Sequence, residues 1–258
     1  RIADGVQRGE RIAIFGDYDV DGATATALMA RFLRHCGLDP LVHIPDRLFE
    51  GYGPNVEAVR SLAERGAKLL ITVDCGTTSI EPLAEAQRLG LTTIVIDHHQ
   101  CDEKLPTAFA VVNPNRLDDL SKLGHLAAVG LVFVTVVAAN RELRQRGFWT
   151  VLRPEPDLLG WLDLVALGTI ADVVPLHGLN RAFVSKGLLA MRKARQQYQA
   201  LETALASAKA DNVRLREDAR RLREEPSAIE DLARRELGLI KPGEKLFILR
   251  DVPPPSNK

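Results

Sequence analysis

The sequence predicts an α/β fold with a doubly wound, mainly parallel sheet, followed by a long coiled-coil-like helix and a small C-terminal unit of one helix and one strand. Three observations carry this expectation. Short β-rich apolar runs alternate with helical stretches through the first two-thirds of the chain, as in βαβ units. The runs are apolar on both faces, as in "LLITV" at 69–73, which suits strands covered by helices above and below. From about residue 195 the text changes to Ala, Leu, Arg and Glu, and no Gly or Pro appears until Pro226.

In chain order, strands are expected at 11–16, 41–45, 68–74, 92–97 and 108–113, with helices at 23–36, 55–65 and 79–89 between them. The apolar stretch 126–139 reads as a buried helix, because a membrane span needs roughly 20 apolar residues. From 125 to 195 the pattern is mostly helical, with an apolar segment at 165–174 that contains Asp172. Tyr198, Leu201, Leu205, Ala208, Asn212, Leu215, Ala219 and Leu222 then recur at spacings of three and four. That is an a/d heptad seam with Asn212 at an a position, where a single polar residue fixes register and favours a parallel pair. Pro226 breaks this helix or opens a new one, and a short helix follows, stopped by Gly238, before a turn at 241–243 and a terminal strand. The expected domains are therefore 1–195, a coiled-coil helix at 196–225, a small unit at 226–250 and a disordered tail at 251–258.

Composition sets bounds on function. The chain has 258 residues, 46% hydrophobic, with 34 basic and 34 acidic side chains, so net charge gives no argument for nucleic acid. Three cysteines form no paired framework, which predicts a reducing, cytoplasmic setting. The first residue is Arg, and the chain is expected to be part of a longer product.

The chemistry concentrates at strand ends. "IFGDYDVDG" places Asp17, Asp19 and Asp21 after the first strand, "VDCG" places Asp74 after the third, and "IDHH" places Asp97, His98 and His99 after the fourth. In open α/β sheets, ligands gather at the carboxyl ends of strands. The Asp-x-Asp-x-Asp-Gly text also opens calcium loops, but the twelfth position from Asp17 is Leu28 rather than a bidentate Glu. Clustered carboxylates with imidazole suit manganese or magnesium. Zinc held by Cys75, Cys101 and the histidines is the rival, against which Cys75 reads as a small buried hydrophobe. His35, His43 and His177 read as surface or packing residues, and His125 as a candidate phosphate contact. Two cations bridged by carboxylates make water nucleophilic near neutral pH and clamp the attacking and leaving oxygens at phosphorus. The reaction class is therefore phosphoester or phosphoanhydride hydrolysis.

"GDYDVDG", "VDCG", "DHH" and "GTIADVVPL" occur in the order and spacing of the DHH phosphoesterase superfamily. The flanking "EGYGPN", "HLAAVGLVF" and "LNRAFVSKGLLAMRKA" resemble RecJ-type exonucleases, which act on single-stranded DNA 5′-to-3′. This resemblance, over about 1–195, implies Asp19, Asp21, Asp74, His98 and Asp172 as ligands of two Mn2+ or Mg2+ ions. Asp17 would assist and Asp74 would bridge. It implies His99 as the catalytic group facing the scissile phosphate, with Asp97 orienting a histidine. Gly51, Tyr52 and Gly53, with Asn180 and Arg181, are implied contacts to phosphate or strand. RecJ-like proteins continue into a second, glycine-rich domain that grips nucleic acid. Residues 196–250 instead resemble the coiled coil and "ARRELGLIKPGE"-like segment of FtsB/DivIC septum formation initiators. The chain thus resembles a fusion of two bacterial proteins.

The leading expectation is a metal-dependent exonuclease acting weakly on single-stranded DNA or short oligonucleotides. The alternative is a coiled-coil cell-division interaction protein with an idle DHH domain. A smaller-substrate DHH enzyme is disfavoured by the RecJ-like flanks. A second copy of the chain, or a division-type partner, is expected along 198–222.

Overall fold

The computed structural model describes residues 1–238, 243 and 245. It divides into two compact units, Arg1–Arg195 and a second beginning at Gln196. The first unit contains strands β1 (Ile12–Gly16), β2 (Leu41–His43), β3 (Leu69–Val73), β4 (Thr92–Ile96) and β5 (Ala110–Val112). All pair in parallel, in the order β2-β1-β3-β4-β5. Around them lie helices α1 (Ile2–Gln7), α2 (Val20–His35), α3 (Val56–Glu64), α4 (Ile80–Arg88), α5 (Ala128–Gln145) and α6 (Leu162–Ala171). The expected doubly wound sheet is what forms.

Its two faces follow from the strand period. Ile12, Ile14, Leu69, Ile71, Ile94 and Ile96 pack into one core with α1, α2, α5 and α6. Their neighbours Ala13, Phe15, Leu70 and Val95 point the other way, into a second core with α3 and α4. Because each face is sealed, β1 and β3 are buried at every position, which explains why their sequences show no polar alternation.

Two details, at α1 and α7, differ from the sequence expectations, and one, at α6, refines them. Helix α1 was not anticipated; its six residues, "IADGVQ", are too few to display a period, although Ile2, Ala3 and Val6 are buried. The apolar segment around 165–174 is helix α6, capped by Asp172, and the chain then turns through Val173 at φ 59°. The last long helix, α7 (Gly178–Glu224), starts well before residue 196, since no proline interrupts the stretch.

Within the first unit, α7 packs on α6 through Gly187 and on α5 through Phe183, whose ring meets that of Phe133 edge-on at 5.3 Å. Gly187 faces the backbone of Leu162: a β-carbon there would collide with the Leu162 carbonyl oxygen and lie 2.5 Å from Ala166 Cβ. In the second unit, Tyr198, Leu201, Leu205 and Leu215 of α7 are exposed. Ala219 and Leu222 are half-buried, and Leu222 shares a pocket with Ala228 and Leu232 of α8 (Pro226–Leu237). Pro226 occupies the first turn of α8 and Gly238, at φ 64°, ends it, as expected. Save for Gly243, the expected 241–243 turn, the terminal strand and the 251–258 tail fall outside the described residues. Among the described residues no helix is long and apolar enough to cross a membrane.

Gly187→Ala should therefore destabilise the first unit by about 1–3 kcal/mol through overpacking against a backbone that cannot rotate away. Urea unfolding checks this, and an unchanged midpoint would show that α7 slides on α6 without cost.

Candidate metal centre

Strand register builds the centre. Gly16 of β1 pairs with Val73 of β3, and Val73 pairs with Ile96 of β4. The residues that follow, Asp17, Asp74 and Asp97, therefore emerge side by side at the carboxyl edge of the sheet. All three are buried. Strand order reverses beside β1, since its neighbours β2 and β3 are reached in opposite directions, and this is where an open sheet leaves a ligand crevice.

The other acids arrive on helices. Asp19 caps α2, accepting from Gly22 N at 2.8 Å. Gly22 is needed there, because a β-carbon would lie 2.6 Å from the Asp17 carbonyl oxygen. Asp21 accepts from Ala128 N at 2.6 Å and Val129 N at 2.9 Å, so its carboxylate sits on the positive end of α5. Asp172 ends α6, which closes on this spot because residue 168 is glycine: a β-carbon would lie 2.8 Å from Val129 Cγ1 and 2.9 Å from Asp21 Oδ1.

His98 is the hub. Its Nε2 lies 3.3 Å from Asp74 Oδ1, 3.8 Å from Asp172 Oδ2 and 3.9 Å from Asp21 Oδ2. Two groups of possible ligand atoms result, each within 4.8 Å of one another: Asp21 with His98 and Asp172, and Asp17 with Asp19 and Asp74. Asp74 also groups with His98 and His99, so it stands where the groups meet. Asp17 Oδ1 and Asp172 Oδ2 are buried and accept no hydrogen bond, and the buried Asp74 Oδ1 has only the long 3.3 Å approach of the His98 ring nitrogen. A native protein seldom leaves such atoms orphaned, and a divalent cation satisfies several at once. Carboxylates with one imidazole are the donor set of manganese or magnesium, so these residues fit such ions.

The charges are under strain as they stand. Burial lifts the Asp74 carboxyl to about 7, aided by Asp21 and Asp19 against the opposing pull of His98. Burial raises Asp21 to about 6 although two α5 amides pull it down, and burial plus the Asp19 charge raises Asp17 to about 6. Asp172 is also raised, first by burial. Burial alone would lower the His98 imidazole, but Asp74, Asp172 and Asp21 outweigh it and lift it to about 9. Backbone geometry adds to the strain: Asp74 sits at φ 62° and Val173 at φ 59°, in a region that non-glycine residues rarely adopt.

Asp97 behaves differently. It accepts from Thr77 N at 3.0 Å, His98 N at 2.8 Å and His99 Nδ1 at 2.7 Å. Burial would raise its carboxyl, yet the hydrogen bonds from His99 and Thr77 win and hold it far below the usual carboxylate range. In return Asp97 raises the His99 imidazole. Tyr52 closes the rim, with its hydroxyl 3.2 Å from His99 Nδ1 and 3.3 Å from the Asp74 carbonyl oxygen.

Of the remaining sequence candidates, Gly51 and Gly53 turn the chain at φ 81° and 73° to bring Tyr52 in. Asn180 is fully buried and its amide donates to the carbonyls of His125 and Pro175, which places its side chain inside the fold rather than on an open surface. Arg181 is exposed and unpaired among the described residues. Neither cysteine joins the centre: the buried Cys75 thiol faces the carbonyls of Val73 and Phe15, and Cys101 faces that of Asn115. No cysteine belongs to any group of possible ligand atoms among the described residues, so the zinc rival lacks its thiolates. His35 and His43 are packing residues, bonded to Pro154 O and Glu50.

Sequence reasoning missed the braces. Asn113, at the end of β5, donates to Thr77 Oγ1 at 3.0 Å and His99 O at 2.9 Å, and Asn115 donates to His98 O. The text "VVNPN" after a strand was the available signal. The α5 amides that hold Asp21 left none, since backbone donors carry no residue signature.

Comparison with known proteins agrees with this geometry. The family described as "DHH family, N-terminal domain" matches residues 11–169, and "Septum formation initiator" matches 178–251. The single-stranded-DNA-specific exonuclease RecJ of Dickeya dadantii is 44% identical over 185 residues, 70% of this chain and 32% of that protein. RecJ of Bacillus subtilis is 41% identical over 75% of this chain and 23% of that protein. The chain thus spans about a quarter to a third of the length of these curated relatives. A crystal structure of exonuclease RecJ bound to manganese superposes with a TM-score of 0.63 and 39% identity, covering 73% of this chain and 46% of that one. RecJ from Thermus thermophilus in complex with Mn2+ gives 0.58 and 36%, over 72% of this chain and 25% of that one. With its acids at the ends of β1 and β3, its paired histidines at the end of β4 and a profile match over more than half its length, the chain belongs to the DHH family.

Proposed function

We propose that residues 1–195 carry a phosphodiesterase that needs manganese or magnesium and hydrolyses single-stranded DNA or short oligonucleotides from an end. The observation that carries this is the pair of ligand groups meeting at Asp74, with orphaned carboxylate oxygens in each. The names of the RecJ relatives, and the manganese in two of their structures, support the substrate and the metal. The 5′-to-3′ sense belongs to the same reading and rests on the motif resemblance. Weak turnover belongs to it too, because the residues that follow the core match a septum formation initiator rather than a strand-gripping domain.

In this reading Asp21, His98 and Asp172 would hold one ion, Asp17 and Asp19 a second, and Asp74 would serve both. Bound there, divalent ions supply Lewis acidity toward phosphate oxygens and make water more acidic. The chain's own groups do the rest. Asp97 accepts the Nδ1 proton of His99 and stabilises the imidazolium, which leaves Nε2 to donate to a phosphate or leaving-group oxygen. Burial and neighbouring acids raise the Tyr52 phenol, so it stays a neutral hydroxyl beside that histidine.

A second reading is favoured by the exposed seam of α7 and the initiator match: an interaction protein with an idle DHH domain. Hydrolysis of a 5′-labelled single-stranded oligonucleotide with Mn2+ separates the two. Asp74→Asn should abolish product, a loss of at least ~10³-fold, whereas His99→Ala should cost on the order of 10²–10⁴-fold and leave Mn2+ binding intact. A folded, Mn2+-binding chain that forms no product would leave the second reading standing.

The carboxyl shifts also fix a stability trend. Asp74, Asp21 and Asp17 are raised from 3.8 to about 7, 6 and 6, so the folded state holds protons that the unfolded state has already lost. His98, raised from 6.5 to about 9, acts in the same direction. Without metal, stability should therefore fall as pH rises from about 4 to about 9. Added Mn2+ should raise the melting temperature more at the alkaline end, where more ligands are free of protons. Calorimetry with and without a chelator checks both; a metal-free melting temperature that climbs across this range contradicts the assigned strain.

A further inference from the structure

We propose that the α7 seam is filled by a second copy of this chain, parallel and in register, so that the second unit is a homodimer. The inference rests on the coiled-coil reading of residues 198–222 and is independent of the hydrolytic one.

Three features of the second unit carry it. First, the seam is apolar and open from 198 to 215, where Tyr198, Leu201, Leu205 and Leu215 are all more than half exposed; only its end, Ala219 and Leu222, is half-buried, with Leu222 beside α8. No residue of α7 after Gly187 is buried among the described residues. Second, the residues flanking the seam are complementary to themselves. In a parallel, in-register pair, each g residue meets the partner's e residue five positions further on. Asp211 then faces Arg216 of the other copy, and Asp218 faces Arg223. The two earlier contacts, Gln197 with Glu202 and Ala204 with Lys209, bring no like charges together. An antiparallel pairing would instead align g with g and e with e, setting Asp211 near Asp218 and Arg216 near Arg223, which is repulsive. Third, Asn212 meets its own copy only in the parallel, in-register arrangement; any other leaves a buried amide against an apolar partner. The charges are also available. Asp218, Arg216 and Arg223 form no ion pair within the described residues, and Asp211 makes only an exposed contact to Arg214 at 3.2 Å.

The full chain tests this by light scattering after size exclusion, with the particle mass expected at twice that of one chain. Asp211→Arg with Asp218→Arg should weaken the dimer roughly tenfold or more, and so should Arg216→Asp with Arg223→Asp. Mixing the two double variants should restore it as a heterodimer, because each copy then supplies what the other lost. Leu201→Cys should form an interchain disulfide under mild oxidation, while Thr203→Cys, on the outer face, should not. A chain that stays monomeric at its highest soluble concentration overturns the proposal and leaves the seam to a different partner. Double variants that fail to rescue one another, or equal crosslinking at 201 and 203, overturn the parallel register. Asn212→Leu should raise dimer stability while admitting other registers, seen as crosslinking between mixed Leu201→Cys and Ala208→Cys chains.

Discussion

The parallel register of β1, β3 and β4 is the constraint from which the centre follows. It forces three acids into adjacent positions where burial removes most of the water that would screen them. Carboxylates so placed are tolerable only if hydrogen-bond donors, a positive dipole, a proton or a cation answers each one. The remaining local structure shows which answer each acid receives.

Asp97 is answered by the protein, through Thr77 and the two histidines that follow it, and is an ordinary buried anion. Asp21 is half answered, by the first amides of α5, which fixes both oxygens while leaving them facing His98 and Asp172. Asp17 and Asp172 each keep a buried oxygen without a donor, Asp74 keeps one with only the long approach of His98, and all three carboxyls are driven upward. Hydrogen-bond satisfaction thus sorts the acids into those that hold the frame and those left for an ion. Gly22 and Gly168 belong to the same logic, since α2 and α6 approach the site only where a β-carbon is missing.

This sorting explains what the sequence made legible. Strand ends could be read because an apolar run followed by Asp breaks a pattern, as at Asp17, Asp74 and Asp97, and the helices between them could be read from their period. Asp172 was found by motif, although its element is a helix rather than a strand. The text could not show that Asn180 points inward, because a buried brace and an exposed contact use the same residue type. Nor could it show the α5 amides under Asp21, which lie 107 and 108 positions along the chain. Contacts made by backbone, or set by distant packing, leave no mark on residue identity.

The two units meet opposite physical demands. In the first, the central strands β1 and β3 are sealed between layers, and the energy of burial holds unsatisfied charge in place. In the second, neither α8 nor the part of α7 after residue 195 buries a side chain fully, so this stretch gains little of the tertiary packing that stabilises most protein helices. Exposed pairs such as Arg220 with Glu217 and Glu224, and Arg221 with Glu225, are screened by water and salt and contribute little. Set against them is the roughly 1–2 kcal/mol of backbone entropy lost at each ordered residue. A helix whose apolar stripe is this regular and this bare gains its missing burial only by covering the stripe, and the charges at its flanks then decide what fits.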